Sequence, residues 1–125
     1  MKKKSPIPFS FVIDSLFPII PEIRAMFGCH ALYRGQHIVL ILRKRNDHSD
    51  DNGIWLATDR EHHVSLKKEF PSMRSIRIFG PESNWQNLPE ESDDFEVSVL
   101  HACELIRKSD PRIGRIPVSK KKKKK

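Results

Sequence analysis

Six histidines (His30, His37, His48, His62, His63 and His101) and two cysteines (Cys29 and Cys103) are the side chains here best suited to ligate a metal or attack an electrophile. Their spacing argues against both. No histidine pair has the H-x-x-x-H interval of a helical zinc site, and no C-x-x-C pair exists. His62 and His63 are neighbours, so on a helix they diverge by roughly 100°. Cys29 and His30 adjoin on a predicted strand and face opposite sides. No serine sits in G-x-S-x-G, and nothing near Cys29 supplies an oxyanion hole. Cys103 falls on the apolar face of a predicted helix, where a thiol is inert. The five glycines form no G-x-x-x-x-G-K phosphate loop. Asp47, Asp50 and Asp51 fail the EF-hand template, because Asn52 replaces the turn glycine and Thr58 the bidentate glutamate. They read as a solvated hairpin loop. Glu90-Glu91 and Asp93-Asp94 precede a helix and complement its dipole. The expectation is a non-enzyme with no catalytic residue, no metal and no cofactor.

One constellation suits binding rather than reaction. Arg24, Tyr33, Trp55 and Trp85 can converge on one open sheet face. A guanidinium ringed by aromatics fits an anionic or planar ligand, or a partner peptide. The competing reading makes Trp55 and Trp85 core residues and pairs Arg24 with a surface acid. The usual burial of tryptophan favours it.

Charge separates the ends of the chain from its body. The formal net charge is +7, yet nine lysines lie in Lys2–Lys4 and in Lys120, Lys121, Lys122, Lys123, Lys124 and Lys125. The remaining 14 basic residues face 16 acidic ones. A lysine tail attracts polyanions weakly and non-specifically, and salt abolishes the attraction. It cannot read base sequence. The mean hydropathy of −0.53 and the absence of a long apolar run speak against a membrane span. Asp14 within Phe9–Ile20 argues for an amphipathic helix there rather than a signal core. Two cysteines far apart in sequence are expected as buried thiols in a cytoplasmic protein.

The elements that must position these residues follow from periodicity. Phe9, Val12, Ile13 and Leu16 share a helical face over 9–17, stopped by Pro18 and Pro21. A strand over 23–27 continues through 31–33, with Gly28 as a bend or bulge. Arg34-Gly35 turns the chain into a central strand over 36–42. Residues 43–52 form a charged loop, and 54–57 a third strand. Thr58-x-x-Glu61 reads as a capping box opening a surface helix to Glu69. Strands over 73–79 and 85–88 follow. The last helix starts near Asp93 and buries Phe95, Val99, Ala102, Cys103 and Ile106.

Arg24-Ala25-Met26-Phe27-Gly28 with Ala31-Leu32-Tyr33-Arg34-Gly35 resembles the opening strand and turn of the TfoX N-terminal domain family. Trp85-Gln86-Asn87-Leu88-Pro89 resembles the family's W-x-x-[LV]-P segment. Cys29 and Ala31 stand where that pattern expects glycine. A position demanding positive φ would be strained with Cys29. The resemblance implies a secretion-chaperone-like α+β fold and a standalone domain with no established activity. The resulting expectation is a tail over 1–8, a single domain over 9–118, and a lysine tail over 119–125. The domain is a two-layer sandwich of order α-β-β-β-α-β-β-α. Its antiparallel sheet has about five strands, with helices mainly on one face. Its expected role is a non-catalytic protein-binding or regulatory module, with a homodimer as a candidate assembly. The alternative is an accessory nucleic-acid binder acting through its lysine tails.

Overall fold

The computed structural model describes residues 7–26, 28–78 and 83–116. Among the described residues six strands form one antiparallel sheet: β1 (Glu22–Met26), β2 (Cys29–Arg34), β3 (His37–Arg43), β4 (Gly53–Leu56), β5 (Arg74–Ser75) and β6 (Gln86–Pro89). Their spatial order is β1-β2-β3-β4-β6-β5. Three α-helices lie among the described residues: α1 (Phe11–Ser15), α2 (His63–Glu69) and α3 (Phe95–Arg107). This is the expected two-layer α+β architecture, with one strand more than the sequence suggested.

The extra strand comes from Gly28. Met26 pairs with Cys29, so the chain reverses there instead of bending within one strand. Gly28 takes φ +75, which glycine adopts without a Cβ clash, and Cys29 begins the extended β2. The strain anticipated at Cys29 does not arise, because the positive φ falls one residue earlier.

Alternating side chains divide the core in two. Leu32, Leu40, Leu42, Ile54, Leu56 and Leu88 meet Val12 and Leu16 of α1, Leu66 of α2 with Phe70, and Val99, Ala102 and Ile106 of α3. All three helices therefore pack on this face. Burying each Leu, Ile or Phe contributes roughly 1.5–3 kcal/mol. Ala31, Tyr33, Ile38, Ile41, Trp55, Ala57 and Ile76 form the second cluster on the opposite face. β3 is thus buried from both sides, as its unbroken apolar run required. Leu32 pairs with Leu40 but Tyr33 with Ile38, so Val39 is the extra residue of a bulge. Beyond it, Ile38 and Arg115 exchange backbone hydrogen bonds of 2.8 and 3.0 Å, docking the C-terminal segment.

Local details depart from the sequence reading for identifiable reasons. α1 starts later because Phe9 sits at φ 55, outside the helical region. The capping box at Thr58 does not form. Thr58 is buried, a 3-10 turn occupies Arg60–His62, and α2 begins at His63. α2 lies at the surface as expected, with Val64 exposed and Leu66 buried. Asp94, not Asp93, precedes α3, and its carboxylate accepts from the Ser92 hydroxyl instead of capping the helix. The fourth predicted strand shrinks to Arg74–Ser75. The Asp51 carboxylate takes the amides of Arg77 and Ile78 at 2.9–3.0 Å and draws the chain off the ladder. Asp51 is therefore a buried anchor and not part of a solvated loop. Phe79, Gly80 and Pro81 lie outside the described residues.

Candidate functional site

β1 forms one edge of the sheet, and Glu22 to Ala25 are all exposed along it. The alternation that governs any antiparallel ladder sorts its side chains and its amides. Glu22 pairs with Tyr33 and Arg24 with Ala31, placing both charged residues on the Tyr33 face. Ile23 pairs with Leu32 and lies on the helix-bearing face. The Arg24 guanidinium grips Glu22 in a two-pronged pair, Nε to Oε2 at 3.1 Å and Nη2 to Oε1 at 3.2 Å. Its carbon stands 4.3 Å from the centre of the Tyr33 ring. Hydrogen bonding to Arg24 holds the Glu22 carboxyl below the usual glutamate value, and Glu22 raises the Arg24 guanidinium in return.

The backbone phase of this edge follows from its hairpins. Two residues join Met26 to Cys29, and two join Arg34 to His37. Closing pairs of such hairpins exchange both hydrogen bonds, and every second pair after them does likewise. Met26, Arg24 and Glu22 therefore bond β2, whereas Ile23 and Ala25 turn their N–H and C=O groups outward. Pro21, just before the strand, is buried and has no N–H to offer. Among the described residues, β1 pairs with β2 alone.

Apolar side chains lead into this edge. Phe17 is 71% exposed, Ile20 83% and Ile23 37%. Ile13, Phe17, Ile19, Ile20 and Pro21, with Asp14, line a cleft of about 420 Å³. Contiguous exposed apolar groups of this kind are found at interaction sites and ligand grooves.

The four residues of the sequence-predicted constellation share one face of the sheet but form two separate pairs. Arg24 and Tyr33 meet at the β1 edge. Trp55 sits three strands away, through Ala31 and Ile41. It is 1% exposed, its Nε1 donates to the Asp51 carbonyl at 2.8 Å, and its ring centre is 5.9 Å from that of the half-buried Trp85. Lys120 to Lys125 lie outside the described residues.

Sequence reasoning missed two polar networks. Arg43 is 2% exposed and donates to the Asp47 and His48 carbonyls and to Asn52 Oδ1. His101, Glu69, Arg112 and Asp110 form a chain of contacts of 2.7–2.8 Å that ties α3, α2 and the C-terminal segment together. For the first network the composition Asp50-Asp51-Asn52-Gly53 signalled only a turn, not the side chains that it would bury. The second network joins residues too distant in sequence to leave a pattern.

The nucleophile candidates are poorly placed for chemistry. Burial pushes the Cys103 thiol up to about 11 and also raises Cys29, so neither favours the thiolate. Among the described residues, no group of three His, Cys, Asp or Glu side chains is placed to hold a metal ion. A larger hollow of about 1040 Å³ lies beside Cys29, His30, Lys44 and Arg45. Its cations are each held by an acid, Lys44 by Glu90 and Arg45 by Asp47. No helix among the described residues is long and apolar enough to cross a membrane.

No family model matches this chain, and neither a curated protein nor a solved structure matches it significantly.

Proposed function

We propose that this chain is a non-catalytic protein-binding module of the TfoX N-terminal type, and that it docks a partner strand along β1. The observation that carries the reading is the outward N–H and C=O phase of Ile23 and Ala25 on an edge strand preceded in the chain by exposed Phe17 and Ile20. Strand addition to such an edge gains main-chain hydrogen bonds for affinity and side-chain contacts for selectivity. Raised thiols and countered cations support a binding role over a reactive one. A cytoplasmic setting, where thiols stay reduced, belongs to the same proposal.

Ile23→Lys tests the reading by placing a charge on the apolar side of the edge. The variant should lose the proteins that the full chain retains from a cell lysate. Val64→Lys on α2 should keep them. Equal retention by both variants would refute docking of a foreign strand at β1. The alternative, a polyanion binder, rests on the nine terminal lysines. It requires that removing Lys120–Lys125 abolish nucleic-acid binding while retention of protein partners fails with nuclease.

A further inference from the structure

We infer that the occupant of the β1 edge is a second copy of this chain, paired antiparallel about a two-fold axis through Ile23. The inference rests on β1 being a docking edge and names its partner. Three features of the strand agree on one register.

The first is hydrogen bonding. With Ile23 opposite Ile23 of the copy, each Ile23 N–H donates to the other's carbonyl. Two backbone bonds result, both from Ile23, whose N–H and C=O have the outward phase. The ladder stops short of Pro21, which is buried and lies outside the strand.

Charge is the second. In this register Glu22 lies opposite Arg24 of the copy, and Arg24 opposite Glu22. These are non-hydrogen-bonded positions, where facing side chains come closest. The existing Glu22–Arg24 pair, at 3.1 Å, becomes a ring of four alternating charges. An axis through Arg24 would instead set two guanidinium groups face to face. An axis through Ala25 would set Arg24 opposite Met26 and leave Glu22 without a partner.

The third is the division of faces. The charged pairs occupy the Tyr33 side, and the two Ile23 side chains meet on the helix side. Phe17 and Ile20 are exposed on the stretch that leads into this strand. An isologous interface needs a self-complementary patch, which Glu22-Ile23-Arg24 supplies.

Sedimentation of the purified full chain over a concentration series tests the proposal. Wild type should form dimers. Arg24→Glu places glutamates opposite each other twice and should weaken the dimer at least about tenfold. The double exchange Glu22→Arg with Arg24→Glu should restore it, because the complementary pairs are rebuilt with signs reversed. Ile23→Cys should cross-link on mild oxidation under conditions where wild type, with both thiols buried, does not. Circular dichroism of each variant checks that the monomer is folded. A chain that stays monomeric at its highest soluble concentration overturns the second-copy proposal. If Ile23→Lys still loses lysate partners in that case, docking at β1 stands with a foreign strand. A dimer indifferent to Arg24→Glu, or not rescued by the double exchange, also overturns it by placing the interface elsewhere.

Discussion

Asp51 and Glu22 are both acids beside a sheet strand, at opposite sides of the same sheet. Asp51 is 1% exposed, and backbone amides of Arg77 and Ile78 satisfy its carboxylate. Glu22 is exposed, and its partner is one flexible side chain, Arg24. The first arrangement is fixed, because leaving either amide without an acceptor inside the protein costs the full desolvation of that group. The second is exchangeable, because water or another chain can replace either member at small cost. The comparison separates what holds this molecule together from what it can offer a partner.

Asp51→Ala should break the comparison most visibly. It leaves two amides without acceptors and releases Ile78, which packs against the second cluster. With about 1–3 kcal/mol for each of the two orphaned groups, destabilisation of about 2–6 kcal/mol is expected in urea unfolding. Asp51→Asn retains one acceptor oxygen and should cost about half as much. A change below about 0.5 kcal/mol, typical of surface positions, would place Asp51 with Glu22 and erase the distinction.

Much of the frame was legible in the sequence. The apolar run 38–42 announced a strand covered on both faces, and the spacing of Val99, Ala102, Cys103 and Ile106 announced the buried stripe of α3. Gly28 was ambiguous for a physical reason. A bulge and a two-residue turn both recruit glycine for its positive φ, and only the partner of Met26 decides between them. Asp51 was hidden because its meaning depends on amides 26 and 27 residues downstream. Local composition said only that the segment turns. Gly53 carries a similar long-range demand, since a Cβ there would stand 2.2 Å from the Leu88 carbonyl oxygen. At the candidate edge, the sequence brought Arg24 and Tyr33 together correctly. It overextended the group to Trp55, because which strands lie between them is a matter of sheet order.

Acid titration sharpens the comparison with an intermediate case. The Glu69 carboxyl is held below its ordinary value of 4.5 first by His101 and then by Arg112. Arg112 also lowers Asp110 from 3.8. For a carboxyl depressed in the folded state, the stabilisation is complete above its unfolded value and drains away as pH falls below it. Stability should therefore decline from about pH 4.5 downward. Arg112→Gln should remove about 1–2 kcal/mol at neutral pH and flatten that acid limb. Unfolding midpoints across a pH series check both. An unchanged slope would mean that Glu69 and Asp110 behave like the exposed Glu22.

Arg24→Ala should produce the smallest effect on the fold and a clear one on association. The Glu22–Arg24 pair is solvated on both members, so water replaces the lost contacts, and at the edge Arg24 covers only one face of Tyr33. The unfolding midpoint of dilute protein should stay within error of wild type. Dimer formation should weaken, and raising salt should weaken the wild-type dimer in the same direction, because exposed charges are screened within about 3 Å at 1 M. The two readouts must diverge for β1 to be a surface adapted to a partner. If Arg24→Ala unfolds the chain as readily as it dissociates it, the guanidinium is holding β1 onto β2, and the exposed charges belong to the scaffold with Asp51.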